Sequence, residues 1–147
     1  MYVVELFLYT IKTTTMELLH QDLSKKIIDI YYKVYNELGY GFLERVYQNA
    51  MYYELKSQGF TCETEKQIVV YYEGVMVGDY RSDIVVENKI LLEIKAAETL
   101  VYAHEIQLIN YLRCTEIEVG LLLNFGKEAK FVRKMYTNDR KKHLQKK

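Results

Sequence analysis

The chain has 147 residues, half of them hydrophobic, with 20 Lys/Arg against 20 Asp/Glu. That length and composition suit one soluble domain around a single core. The zero net charge argues against a high-affinity nonspecific nucleic-acid binder, and the two cysteines, Cys62 and Cys114, are too few for a disulfide framework and lack metal-ligand spacing.

Met1 to Tyr9 is apolar but too short to span a bilayer, and it has neither a basic leader nor a small-residue cleavage site. Residues 1–15 are therefore expected as an extension of the domain, with Met16 an alternative start. The other reading is that Val3 to Leu8 adds an edge strand or an oligomer contact. Gln21 to Leu38 carries Leu23, Ile27, Ile30, Tyr31, Val34 and Leu38 on one side, the period of an amphipathic helix. Gly39 suits its end and Gly41 the tight connection onward. A second helix is expected over Phe42 to Ser57, where Leu43, Val46, Tyr47, Ala50 and Met51 form an apolar stripe. Glu44 borders that stripe, so it calls for a base partner or a place in a metal site.

Strands are expected over Gln67–Tyr72, Val75–Val86 and Ile90–Ile94, all rich in branched or aromatic residues. The last two enclose the polar turn Glu87-Asn88-Lys89. A three-residue loop there pairs Val86 with Ile90 and sets Asp83 opposite Glu93. Directly opposed Cβ atoms lie roughly 4.5–5.5 Å apart. Lys95 then shares the face of Glu93, about 6.6 Å further along. A slip of one residue would separate the two acids. Carboxylates this close repel, and one takes up a proton unless a cation lies between them. A hard divalent ion, Mg2+ or Mn2+, suits such oxygen ligands, with Lys95 able to orient water or offset charge on a phosphate. A solvated hairpin face with a Glu–Lys pair is the other account of the same residues.

Thr99 to Cys114 fits a helix with Val101, Ile106, Ile109 and Leu112 on its apolar side. Gln107 and Tyr111 share a stripe, with His104 one turn earlier. That stripe would reach a metal water or a phosphate oxygen, or simply fill a helix–sheet seam. Val119–Phe125 reads as a buried strand and Ala129–Tyr136 as a last one. Residues 127–147 hold nine Lys/Arg against two Asp/Glu. The tail after residue 137, with Arg140, Lys141 and Lys142, would lie on phosphates or fray in solvent. The fifteen tyrosines include candidates for stacking on bases.

Gly41-Phe-Leu-Glu44-Arg-Val-Tyr47, the YRSDIVVENKILLEIKA hairpin, the HEIQLINYLR helix and the GLLLNFG strand, in this order, resemble the GxxExxY proteins of the PD-(D/E)XK nuclease superfamily. The resemblance spans roughly residues 23 to 136. Tyr35 and Tyr40 depart from it, where relatives often carry histidine and proline. It implies an α/β restriction-endonuclease-like fold, with a mixed central sheet flanked by helices, over residues 16–137. It implies a metal-dependent nuclease, on DNA more than RNA, with Asp83, Glu93, Lys95 and Gln107 at the active-site positions and Glu44 as the first-helix acid. The backbone carbonyl of Ile94 would be a third metal ligand. Gln107 with Tyr111 resembles the glutamine–tyrosine motif of RecB-type nucleases, and Tyr47 and Tyr111 are candidate nucleic-acid contacts. Small nucleases of this type often work as homodimers. A catalytically silent module binding nucleic acid or protein is the alternative. Two reduced thiols suit a cytoplasmic protein.

Overall fold

The computed structural model describes residue 4 and residues 19–141. The expected extension apart from Val4, and Lys142 in the tail, lie outside the described residues. Helix α1 (Gln21–Leu38) matches the expected span and buries Ile27, Ile30, Tyr31 and Val34. It stops at Gly39, whose N–H donates to Tyr35 O at 2.8 Å with φ of 67°. Helix α2 runs Glu44–Ser57. Strand β1 (Cys62–Thr64) follows, then β2 (Gln67–Tyr72), β3 (Val75–Arg81), β4 (Ile84–Val86) and β5 (Ile90–Lys95). Helix α3 (Tyr102–Arg113), β6 (Val119–Phe125), β7 (Ala129–Met135) and a short 3-10 turn (Asn138–Arg140) complete the described chain.

Five strands form one sheet in the order β1-β4-β5-β6-β7, and β2 with β3 forms a separate two-stranded ribbon. All pairs are antiparallel except β5–β6. Parallel neighbours need a crossover, and α3 is that crossover. The mixed sheet and three flanking helices agree with the expected fold class. Among the described residues no helix is long and apolar enough to cross a membrane.

The single strand expected over Val75–Val86 is in fact two, in different sheets. The chain breaks at Ser82-Asp83, where tertiary bonds override local preference. Ser82 N donates to Lys66 O at 2.9 Å, and the Asp83 carbonyl accepts from Gln48 Nε2 at 3.1 Å. The extra strand β1 pairs outside β4, Glu63 against Val85.

Alternation along the strands gives the sheet two faces. Ile84, Val86, Ile90, Leu92, Ile94, Val119, Leu121, Leu123 and Phe125 pack against α1 and α2. Val85, Leu91 and Leu122 pack on the other side with Leu108 and Leu112 of α3. Tyrosines seal the first face: the Tyr31 hydroxyl meets the Asn124 carbonyl, and the Tyr47 ring stacks on Phe125 at 4.2 Å.

Candidate active site

Strands β4 and β5 pair Ile84 with Leu92 and Val86 with Ile90. One step beyond this ladder, Asp83 lies opposite Glu93, the register on which the expected pairing of acids depends. The turn holds it there. Glu87 and Asn88 both have φ of 53°, the sense of a type I′ turn, and Lys89 N donates to Val86 O at 2.9 Å. Glu87 also ties back, its carboxylate accepting from Thr61 N at 2.8 Å. At the far end Asp83 Oδ2 accepts from Ile94 N at 2.7 Å, and Asp83 N approaches Glu93 Oε1 at 3.4 Å.

Glu93 is only 5% exposed. Burial, then the charge of Asp83, pushes its carboxyl up to about 8. Burial also raises Asp83; the Ile94 N–H pulls it back and Glu44 adds to the rise. Glu44, the exposed first residue of α2, acts on both acids through its charge. At neutral pH, without a cation, the pair therefore keeps a proton. This conflict fits a hard divalent ion, which would remove the repulsion. Mg2+ is commonly held by one or two carboxylates with waters completing its shell. Asp83 and Glu93 are the side chains that would hold it here. Among the described residues no group of three or more His, Cys, Asp or Glu is arranged for a metal.

Lys95 stands at the end of β5 on the same side of the sheet. Its Nζ donates to Gln107 Oε1 at 3.0 Å, and Gln107 Nε2 donates to the Tyr111 hydroxyl at 3.0 Å. Helix α3 thus presents its glutamine–tyrosine stripe to the lysine, and the chain of bonds fixes where the ammonium sits. Burial, then the nearby Glu93, raises the Tyr111 hydroxyl. His104 plays no part in this chain; its Nδ1 accepts from Val101 N at the start of α3.

The model of the PD-(D/E)XK nuclease superfamily matches residues 21–135. The chain belongs to that superfamily. Its fold is similar to the crystal structure of SSO0001, with a TM-score of 0.53 at 20% identity, over 63% of this chain and 50% of that one. The match spans half the length of SSO0001, and it is a likeness of fold. No curated protein matches.

Sequence reasoning missed one residue of this superfamily member's site. Gln48 lies one turn after Glu44 and is 7% exposed. Its amide donates to Asp83 O at 3.1 Å and to Glu65 Oε1 at 3.2 Å, and Arg45 also pairs with Glu65. Gln48 therefore holds the backbone that carries the first acid. Its spacing of four from Glu44 was the available signal.

Two expected nucleic-acid contacts, Tyr47 and Lys141, need correction. Tyr47 is fully buried, its hydroxyl donating to Gly39 O at 2.7 Å and accepting from Phe42 N at 3.1 Å. It closes the α1–α2 connection and no base can reach it. Lys141 lies at carbonyls rather than at a phosphate: its Nζ donates to Thr115 O at 2.8 Å and Ile117 O at 2.7 Å, and burial lowers it to about 8. Arg140, by contrast, is exposed, with its guanidinium over the Tyr136 ring at 4.5 Å, and stays open to a phosphate. The expected free tail thus starts as a docked segment through Lys141.

Proposed function

We propose that the protein is a metal-dependent nuclease of the GxxExxY group that hydrolyses phosphodiester bonds in DNA, with Mg2+ or Mn2+ as its ion. Asp83 and Glu93 would hold the ion, with the Ile94 carbonyl and Glu44 as further oxygen donors. When bound, such an ion polarises the phosphate and lowers the pKa of water. Lys95, steadied by Gln107, supplies a fixed positive charge for a phosphate oxygen as charge develops there. The Asp83 carboxylate, with one oxygen occupied by the Ile94 N–H, is held in a defined orientation.

The observation that carries this reading is the opposition of a buried acid, Glu93, and a half-buried one, Asp83, beside a positioned lysine. Serving only as structural pairs, as in a silent binding module, these acids would gain little. Among the described residues neither forms an ion pair with a base, and both are held above their ordinary range. Two free thiols, Cys62 and Cys114, support a cytoplasmic setting. A homodimer rests on the resemblance to small nucleases alone.

Calorimetric titration with Mn2+ at neutral pH tests the assignment. Binding should release a proton, because Glu93 gives one up, and Asp83→Ala should abolish the heat. Equal binding by that variant would remove Asp83 as a ligand. No cleavage of single-stranded, duplex or branched DNA or of RNA, with either ion, would favour the silent module.

A further inference from the structure

A groove of about 520 Å3 lies between the β2–β3 ribbon and α3, lined by Val70, Tyr80, Ile106, Gln107, Asn110 and Tyr111 among others. Its size falls within the roughly 300–1,000 Å3 typical of small-molecule sites. Gln107 and Tyr111 belong both to this groove and to the bond chain that ends at Lys95. The groove is therefore continuous with the place where a phosphate would lie.

Its walls suit a flat heteroaromatic ring. The Tyr80 and Tyr111 rings pack against each other, centroids 5.7 Å apart at 43°, so a base would lie on the exposed face of Tyr80 rather than between the two, Tyr111 being only 8% exposed. Tyr80 is 48% exposed, so packing in the core does not account for its position. Gly78 does: a Cβ there would lie 3.0 Å from Tyr80 Cε2 and 3.3 Å from Val70 Cβ. The missing side chain lets the ring lie across the ribbon backbone. At the rim, Arg113 Nη1 donates to Asn110 Oδ1 at 2.9 Å, setting an amide and a guanidinium in the lining beside the tyrosines. Aromatic faces with amide and guanidinium groups at their edge match the π-face and polar edge of a nucleobase.

We infer that this groove takes one unpaired base of the DNA strand, the base neighbouring the phosphate that lies beside Lys95 and the metal, and so selects single-stranded or unwound DNA. A base still paired in a duplex cannot present both its face and its edge to such a slot. The inference rests on the nucleic-acid reading above, and its test separates the two.

A single abasic nucleotide is moved along a short single-stranded DNA, and binding to the full chain is followed by fluorescence anisotropy in Ca2+, with gels confirming that the strand stays intact. At one position, adjacent to the phosphate later cut in Mg2+ or Mn2+, removal of the base should weaken binding about tenfold. Tyr80→Leu should weaken the intact strand by a similar factor and erase the positional effect. No binding of the strand, loss shared equally by all positions, or a positional effect untouched by Tyr80→Leu overturns the inference. The wild-type walk stands by itself if the variant does not fold. A clear positional effect in a protein that binds no Mn2+ and cuts nothing would sink the nuclease reading and leave the base slot standing.

Discussion

The two faces of the five-stranded sheet are built from the same strands and do opposite things. Toward α1 and α2, nine residues from Ile84 to Phe125 are each no more than 1% exposed, and all are apolar. Toward α3, the apolar cover of Val85, Leu91 and Leu122 gives way to Glu93 and Lys95 along the same strand edge. Leu92 and Glu93 are neighbours in sequence, yet one belongs to the core and the other to the chemistry. Period-two alternation lets one strand supply both without either face compromising the other.

Substituting neighbours on β5 is the most direct way to break this comparison. Leu92→Ala should cost about 2–5 kcal/mol, because it leaves a cavity under two helices. Lys95→Met should change stability by no more than about 1 kcal/mol and cut cleavage by about 10²–10³-fold. Urea midpoints and cleavage rates on the same preparations decide it. A Lys95→Met protein that unfolds as easily as Leu92→Ala would show that the faces are not separable.

Much of this division is legible in the sequence, because it depends on local rules. The helix over Gln21–Leu38, the strand Val119–Phe125 and the hairpin turn at Glu87-Asn88-Lys89 are set by apolar periods and a polar interruption. From these the register of Asp83 against Glu93 follows by counting. What escapes the sequence depends on contacts distant along the chain. The three-residue β1 is too short for a period. The break at Ser82 has no glycine or proline to mark it, since the bonds that make it come from Lys66 and Gln48. Tyr47 and Lys141 carry exposed-looking chemistry, but their polar tips find backbone partners at Gly39 and at Thr115 and Ile117.

The functional face should also be the less stable one, and pH exposes this. Glu93 titrates near 8 in the folded chain against an ordinary 4.5. Between those values the folded state binds more protons than the unfolded state. Stability from the protonated acid is therefore full below about pH 4.5 and is lost as pH rises through 8. In metal-free buffer, Glu93→Gln should overtake the wild type as pH rises, by on the order of 2 kcal/mol at pH 8. Mn2+ should return stability to the wild type alone. Urea midpoints that run parallel from pH 5 to pH 8 would mean that the acids do not conflict.

Gln48 tests how far the two faces depend on each other, with the smallest effect. It projects from α2, a helix of the apolar face, yet its amide holds the Asp83 carbonyl. Gln48→Ala should lower stability by about 1 kcal/mol and weaken Mn2+ affinity by about tenfold, as for residues that orient a metal ligand. Gln48→Glu should not rescue it, since it sets a carboxylate against Glu65 and the Asp83 carbonyl. Calorimetry far below the melting temperature separates positioning from a general loss of structure. A variant with lower stability and unchanged Mn2+ affinity would confine Gln48 to the core and leave the hairpin able to aim its acids without help from α2.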